Sequence, residues 1–384
     1  MEADEPQPPH PARTGVDTGA TAPPAAVLRP PRARWHPLWF VLGAALVLVA
    51  ALFGAAGVLR APYVVFAPGS AFDTEAAIST PGTESYPSEG EVLFLTVSLR
   101  GASRRVGYVE AGWGWIRGDQ DVAPREAIIG DQTGAENREQ SLQLMTSSQE
   151  VAAKVALEHL GYEVPSEGTG VVVLSALEEA PVAALVSRGD VIVGLDGEQV
   201  DLDSQLRAAL EGAVPGQEVT LSVERAGQGA PEEVTTELIA DPGGEDRAVL
   251  GVGVATRDLT YDLPFPVRID TEDVGGPSAG LALTLGILDH LTPGPLTGGA
   301  NVATTGTIEA DGTVGQVGGV AQKTIAAKRA GATLLLVPEA EVADAQRTAP
   351  DGLQVVGVGT LDDALDALAS IGGNALELDR TGDG

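Results

Sequence analysis

The chain contains no cysteine, which excludes a disulfide framework, a zinc site with thiolate ligands and a thiol nucleophile. Lysine is almost as scarce: Lys154, Lys323 and Lys328 are the whole set, and arginine supplies the rest of the 23 basic residues. Because lysine can lose its proton and arginine cannot, each lysine is a candidate for a role that needs a neutral amine. The formal charge of −31 argues against nucleic-acid binding, since phosphates attract clustered Lys and Arg.

The first sixty residues divide into a polar tail and a long apolar stretch. Residues 1–34 are rich in proline, alanine and charge, and they predict a disordered tail. No charged residue lies between Arg34 and Arg60. The stretch 38–59 would span about 33 Å as a helix, enough for a hydrocarbon core of roughly 30 Å. We therefore expect a transmembrane helix within 35–60.

Arginines flank this stretch unequally, which predicts its orientation. Three of them lie within 29–34, whereas Arg60 alone follows directly. The positive-inside rule then keeps the N terminus in the cytoplasm and sends residues 61–384 outside the cell membrane. The small residues GAA at 54–56 leave a cleaved signal peptide as the alternative.

Regular patterns begin beyond the apolar stretch. The run GEVLFLTVSLRG at 90–101 predicts a strand, and apolar residues at helical spacing predict a helix over 137–164. We assign both to a region over 61–165 that precedes a distinct unit.

Residues 168–240 alternate short β-runs with one short helix. The β-runs lie at 171–174, 191–195 and 218–224, and the helix lies near 203–212. The order of a small-residue turn, the string RGDVIVGLDGEQV, a helix and a closing strand resembles a PDZ domain of the bacterial type. We place this domain over 166–242.

The PDZ resemblance implies a peptide-binding edge. PDZ domains add the C terminus of a peptide as a strand to an exposed sheet edge. The carboxylate would meet the loop 168–171, and the peptide would lie between the strand that follows and the helix at 203–212. Leu206 and Leu210 fit a plain core role equally well. The residues implied in peptide binding are Gly170, Val171, Val172, Leu206 and Leu210.

A candidate nucleophile lies in the last third of the chain. A short strand at 267–269 leads through Gly275-Gly276-Pro277 into Ser278, where an apolar helix begins. A serine at such a junction has an exposed hydroxyl, and the N–H groups of Gly276 and Ser278 at the positive end of the helix dipole could hold an oxyanion. The string GPSAG alone is weak evidence, because a serine at a helix start is often an ordinary N-cap.

The base for this serine is predicted to be a lysine. Of the four histidines, His290 lies nearest in the chain, but it would be about 18 Å away at the far end of the same helix. A buried lysine of lowered pKa can replace it. Lys323 falls in the first turn of a helix that follows a hairpin, while Lys328 beside Arg329 has the pattern of a solvated charge.

The string GGPSAG together with TGTIEADGTVGQVGGVAQKTIAAKRAGA resembles the proteolytic domain of the Lon family, most of all its membrane-anchored members that carry a PDZ domain. The resemblance extends over about 61–372 and includes LMTSSQ at 144–149. It implies Ser278 as the catalytic serine, Lys323 as the catalytic lysine, and Thr305 as the threonine that orients the lysine.

The resemblance implies an endopeptidase without metal or cofactor that acts on protein or peptide substrates, and Lon domains commonly form homo-oligomeric rings. No G-x-x-x-x-G-K-[ST] loop occurs, so we expect ATP-independent cleavage of unfolded or flexible substrates. The adjacent Glu272 and Asp273 could tune the lysine, but we interpret them as loop charges. The alternatives are a membrane-tethered PDZ adaptor with an inactive protease-like domain and, less favoured without a histidine base, an esterase.

The predicted fold class is α+β. An N-terminal transmembrane helix is followed by a PDZ β-barrel-like domain, inserted before a Lon-type α/β proteolytic domain over 248–372. Residues 373–384 are predicted to form a disordered tail.

Overall fold

A computed structural model describes residues 37–226, 228–244 and 247–376. The predicted tails at 1–34 and 373–384 lie outside these residues, except for 373–376. The chain divides into two compact units at Gly54–Ala55, and the second unit holds both sheets and the site described below.

The stretch predicted to cross a membrane forms helix α1, Pro37–Val58. Among the residues that the structure describes, no helix is long and apolar enough to span a membrane. The segment is therefore helical as predicted, but the predicted membrane span is not supported.

A six-stranded mixed sheet organises the protease-like part of the second unit, in the order β20-β19-β16-β3-β1-β4. Strands β3, β16, β19 and β20 run parallel, whereas β1 is antiparallel to β3 and β4. The six strands are β1 (Tyr63–Asp73), β3 (Glu91–Arg100), β4 (Asp121–Pro124), β16 (Asn301–Thr304), β19 (Leu334–Pro338) and β20 (Gln354–Val358). Two separate two-stranded sheets pair β2 (Ile78–Ser79) with β15 (Arg268–Ile269) and β17 (Thr307–Ile308) with β18 (Val314–Gly315). Its helices are α2 (Thr74–Ala77), α3 (Tyr108–Ile116), α4 (Arg125–Ile129), α5 (Gly134–His159), α7 (Gly280–Leu291), α8 (Val320–Arg329), α9 (Val342–Thr348) and α10 (Leu361–Ser370).

Both faces of this sheet are covered, and the alternation of side chains along β3 shows how. Val92 and Phe94 point into a core shared with α5, α7 and α10. Leu93 and Leu95 point into a second core with α8 and α9. Successive side chains of a strand point to opposite faces, so a continuous apolar run serves a strand buried on both sides. The region 61–165 therefore supplies a central strand of the protease-like sheet.

The PDZ-like unit is a second sheet in the order β10-β9-β7-β6-β13, with β8 paired to β7. Its elements are β5 (Ser166–Glu167), β6 (Val171–Ala176), β7 (Val191–Leu195), β8 (Glu198–Gln199), α6 (Asp203–Ala209), β9 (Glu218–Arg225), β10 (Gln228–Glu237), β11 (Ile239–Ala240), β12 (Ala248–Val249), β13 (Val252–Thr256) and β14 (Thr260–Tyr261). Its separate core centres on Val171, Ile192 and Leu221, all fully buried.

The sheet of the PDZ-like unit continues beyond residue 242, the predicted end of the domain. Strand β13 lies beyond it and pairs antiparallel with β6, with Val252 opposite Ala176 and Thr256 opposite Val171. The sheet therefore ends with a strand that the segment 166–242 does not contain.

Candidate active site

Ser278 lies in a tight turn that points it into a cavity. Gly276 has a φ of +95°, a conformation that favours glycine. A 3₁₀ turn, Pro277–Ala279, follows and passes directly into α7. The cavity, about 390 Å³, is lined by Ser278, by Leu95 to Leu99 of β3 and by residues of α5. The predicted strand-to-helix junction is confirmed, with a 3₁₀ turn as its first part.

Helix α5 holds this turn in place. The N–H of Gly276 donates a 2.7 Å hydrogen bond to the carbonyl of Ser141, and Ser148 Oγ donates one of 3.0 Å to the carbonyl of Pro277. A Cβ on Gly275 would lie 2.9 Å from Ser141 Cβ, so a side chain there would displace the turn or the helix. Ser141 and Ser148 are therefore positioning residues, and LMTSSQ was the signal in the sequence that pointed to this helix.

The same contact corrects the predicted oxyanion site. Gly276 was expected to contribute its N–H, but this N–H is already bound to Ser141. The N–H of Ser278 lies at the start of the 3₁₀ turn, where backbone N–H groups lack an intrahelical partner. Of the two predicted donors, the N–H of Ser278 is therefore the better candidate for receiving an oxyanion.

Lys323 is buried beside the turn. It lies in the first turn of α8, which begins after Gly319 in the left-handed conformation, with a φ of +72°. The residue is 2 % exposed, and its Nζ donates a 2.9 Å hydrogen bond to Thr305 Oγ1. Burial lowers the pKa of Lys323 to about 8, because the charged ammonium loses its hydration. At neutral pH roughly one molecule in ten then carries the free amine that a general base requires.

Thr305 connects the lysine to the serine. Its Oγ1 accepts the hydrogen bond from Lys323 and donates one of 3.2 Å to the carbonyl of Ser278. The N–H of Gly306 donates to the same carbonyl at 3.1 Å. The structure therefore brings Ser278, Thr305 and Lys323 together. Among the hydrogen bonds of the described residues, none joins Ser278 Oγ to Lys323 Nζ; the link runs through Thr305 to the backbone carbonyl of Ser278.

Glu341 is a residue near the site that sequence reasoning missed. It lies in the 3₁₀ turn after β19, and its carboxylate accepts hydrogen bonds from the N–H of Val317 at 3.2 and 3.3 Å. Burial raises the pKa of Glu341, and its negative charge opposes the lowering of the pKa of Lys323. No pattern around PEAE distinguishes this carboxylate from neighbouring surface acids.

Replacing Glu341 by glutamine is expected to move the pH dependence of activity downward. Loss of the negative charge lowers the pKa of Lys323 further, so the amine becomes free at lower pH. The measurement is kcat/KM for an unfolded protein between pH 6 and 10, with Glu339→Gln on the same exposed turn as control. An unchanged or upward-shifted midpoint in Glu341→Gln would contradict this role.

The acidic residues next to the turn do not face the lysine. Asp273 has a side chain 98 % exposed and pairs with Arg138 at 2.9 Å. Glu272 occupies a turn at φ +51°, and its N–H donates to Asp270. Both fit the interpretation as loop charges.

Among the described residues, no group of three or more histidine, aspartate or glutamate side chains is placed to hold a metal ion.

The predicted PDZ peptide edge is occupied by the chain itself. Strand β6 has β7 on one side and β13 on the other, so no peptide can add next to Val171 and Val172. Gly170 donates its N–H to Asp201, and its carbonyl accepts from the N–H of Arg257. The predicted contacts at Gly170, Val171 and Val172 would need a strand edge that β7 and β13 fill here. The pairing with β13, about 80 positions later, was not visible in the sequence.

Helix α6 faces β13 instead of β6. The hydroxyl of Thr256 on β13 donates to Asp203 Oδ1 at 2.8 Å and accepts from the Asp203 N–H at 2.9 Å. Leu206 is 2 % exposed within the core, and Leu210 packs partly buried against it. Leu206 is thus a core residue, and Leu210 lies at the border of that core.

Comparisons with known proteins agree with this arrangement. Residues 271–370 match the Lon protease (S16) C-terminal proteolytic domain, and residues 158–238 match a PDZ domain. Both domains are therefore present, in a mixed α/β chain. The first match contains Ser278, Thr305 and Lys323.

Lon proteases are among the similar proteins. The Lon protease of Clostridioides difficile (strain 630) is 39 % identical over 119 residues, covering 30 % of this chain and 15 % of that protein. Lon protease 2 of Bacillus subtilis (strain 168) is 29 % identical over 160 residues, covering 42 % and 26 %. The matches span about a quarter or less of these relatives, and they support a serine-type peptidase.

Solved structures similar to the chain include the PDZ domain of an SdrC-like protein from Listeria innocua. It is 26 % identical, with a TM-score of 0.20, and the match covers 22 % of this chain and 92 % of that domain. We draw nothing further from this likeness.

Proposed function

We propose that the protein is an ATP-independent serine endopeptidase in which Ser278 is the nucleophile and Lys323 the general base. The observation that carries the proposal is the burial of Lys323, with a pKa near 8, on a threonine that also bonds the backbone of Ser278. Arginine at this position could supply the charge but not the base.

The chemistry begins when neutral Lys323 takes the proton of the Ser278 hydroxyl. This transfer needs Oγ within about 3 Å of Nζ, so the hydroxyl turns toward the lysine when substrate fills the cavity; such contacts often tighten only in the complex. Oγ attacks the peptide carbonyl, and the N–H of Ser278 holds the oxyanion. As the C–N bond breaks, the ammonium of Lys323 donates its proton to the leaving amine. Water, deprotonated by the same amine, then hydrolyses the ester.

Extended and flexible proteins are the proposed substrates. Strand β16 pairs with β3 only from Glu91 to Phe94, which leaves the edge of β3 beyond Leu95 without a partner on the side away from β1. This edge lines the cavity at Ser278. An extended peptide could pair there with its scissile bond near the hydroxyl, as strand addition provides main-chain affinity for many sequences.

The test is incubation of the protein with an unfolded casein-like substrate and no ATP, wild type beside Ser278→Ala. We expect cleavage by the wild type and none by the variant, and little turnover of simple esters. Equal cleavage by both would reject Ser278. Ester turnover without protein cleavage would favour an esterase, and binding without either activity would favour the adaptor.

We propose that the PDZ domain binds peptide C termini at the outer edge of β13, beside α6. The sheet order leaves β13 at an edge, and Val252 and Val254 are partly buried against the same core as Leu210. Fluorescence anisotropy with a labelled apolar peptide tests this: binding should require its free carboxylate. Equal binding of the C-terminal amide would reject this mode.

We further propose that the chain is anchored in the cell membrane through 38–59, with the protease outside the cytoplasm. This rests on the uncharged sequence and on the flanking arginines. Accessibility of the protease part to externally added protease in intact cells tests it; protection until lysis would reject this orientation.

A further inference from the structure

Helix α3, Tyr108–Ile116, shows an unusual distribution of side chains. Ala111 and Gly114 are buried, and a Cβ on Gly114 would lie 2.8 Å from Val122, so these small residues form the face against the sheet. A helix that covers a sheet normally turns polar residues outward. Here the outward residues are large and apolar, and we call them the α3 patch. They are Tyr108 (46 % exposed), Val109 (40 %), Trp113 (60 %), Trp115 (63 %) and Ile116 (76 %).

The α3 patch is the densest such surface in the described part of the second unit. Large exposed apolar residues elsewhere beyond residue 60 are scattered over several elements, whereas α3 carries five within nine positions. Scattered exposed apolar residues are ordinary, but a contiguous group marks an interaction site. The patch also holds two of the four tryptophans of the chain. Tryptophan prefers the boundary between lipid headgroups and hydrocarbon, because its ring is apolar and its N–H is polar.

Arginines surround the patch in a chain that is otherwise strongly acidic. Arg104 and Arg105 precede α3 and are exposed, and among the described ion pairs neither has an acidic partner. Arg117 follows the helix and pairs with Asp119 at 3.3 Å. The one acid on the helix, Glu110, is paired with Arg100 at 3.4 Å. Arginines close to a membrane surface are attracted to its anionic headgroups.

The patch also contacts the residues that directly follow the apolar segment. Arg60 lies two residues after the end of α1 and forms a β-bridge with Gly107, the N-cap residue of α3. Its guanidinium donates to the carbonyl of Arg105. Tyr63, three residues further, packs edge-on against Trp115 at 5.4 Å between ring centroids.

We propose that the α3 patch binds the headgroup-to-hydrocarbon boundary of an anionic lipid bilayer. The apolar face enters the boundary, and the flanking arginines contact anionic headgroups. A second copy of the chain is the poorer occupant, because a twofold contact through the patch would bring two sets of arginines together. This inference goes beyond proteolysis, and it does not require α1 to cross the membrane. Binding here would fix the orientation of the cavity at Ser278 relative to the lipid surface.

The experiment uses full-length Trp35→Phe/Trp39→Phe protein, in which Trp113 and Trp115 are the remaining fluorophores. It is mixed with vesicles of phosphatidylcholine and phosphatidylglycerol, with or without bromine on the acyl chains. We expect brominated lipid to quench at least half of the tryptophan emission. The additional change Arg104→Gln/Arg105→Gln should reduce the quenching at physiological salt.

In the reciprocal variant Trp113→Phe/Trp115→Phe, the fluorescence comes from Trp35 and Trp39. Its quenching therefore measures insertion of the apolar segment separately. Quenching of Trp113 and Trp115 supports the inference whether or not that control is quenched. An absence of quenching of Trp113 and Trp115 overturns the inference, whether or not the protein binds the vesicles. A concentration-dependent blue shift of their emission without lipid, and no quenching with it, would assign the patch to contact between copies. Trp113→Ser/Trp115→Ser protein should cleave a soluble substrate at the wild-type rate, which verifies its folding.

Discussion

Protein carrying Lys323→Arg is expected to lose peptidase activity by roughly 10²–10⁴-fold, the usual contribution of a general base. Arginine keeps a positive charge next to Thr305 but cannot accept the proton of Ser278. The larger guanidinium group must also fit where the side chain of Lys323 is buried, with 2 % of the residue exposed to solvent. Lys323→Met removes charge and base together and avoids the buried guanidinium, so it should be equally inactive.

The matched control is Lys328→Arg, five positions later on the same helix. Lys328 is exposed, and the same chemical change there should leave the rate within a factor of about two, since exposed substitutions rarely disturb a distant site. The measurement is kcat/KM for an unfolded protein, with circular dichroism to verify folding. Turnover by Lys323→Arg within tenfold of the wild type would remove lysine from the mechanism.

Lys323→Met is expected to raise the free energy of unfolding at pH 7. The pKa of Lys323 is about 8 in the folded protein, below its ordinary value of 10.5, so the unfolded state binds more protons between these pH values. Burial of the charged form then costs on the order of 3 kcal/mol at pH 7. Loss of the hydrogen bond to Thr305 offsets about 1 kcal/mol of the gain. We expect a net stabilisation of roughly 2 kcal/mol.

The expected stabilisation by Lys323→Met depends on pH. In the wild type, stability from this group increases as the pH rises from about 8 toward 10.5, because the folded state no longer holds a buried charge. The advantage of Lys323→Met should therefore shrink over that window. Urea unfolding at pH 7 and pH 10 measures it, with Lys328→Met as the control. A variant less stable than wild type at pH 7, or a difference independent of pH, would contradict the account.

Local patterns predicted the elements around the site well. The apolar runs that became β3 and β19 are strands buried on both faces, and the glycines at 275 and 276 mark the turn before Ser278. Lys323 stood out because lysine is scarce, and Thr305 was implied by the resemblance. These features depend on residues close in sequence or on rare residue types, which a single sequence displays.

Contacts between distant segments were not predictable in the same way. The N–H of Gly276 is bound by Ser141, 135 positions earlier, and β13 pairs with a strand about 80 positions before it. Both contacts bear on predicted sites: one engages the N–H of Gly276, and the other leaves β13 rather than β6 at the edge of the sheet. Glu341 was missed for the same reason, since its proximity to Lys323 arises only when β19 and α8 pack together.

The most direct test of the dyad is the rate at which a fluorophosphonate modifies the protein, followed by intact mass and peptide mapping. The account predicts one adduct, on Ser278, with a rate that rises with pH and levels off above about 8, as the amine of Lys323 becomes free. It also predicts no measurable adduct in Lys323→Met protein. Modification of another residue, or equal labelling of Ser278 in Lys323→Met, would contradict the central claim that this serine is activated by this lysine.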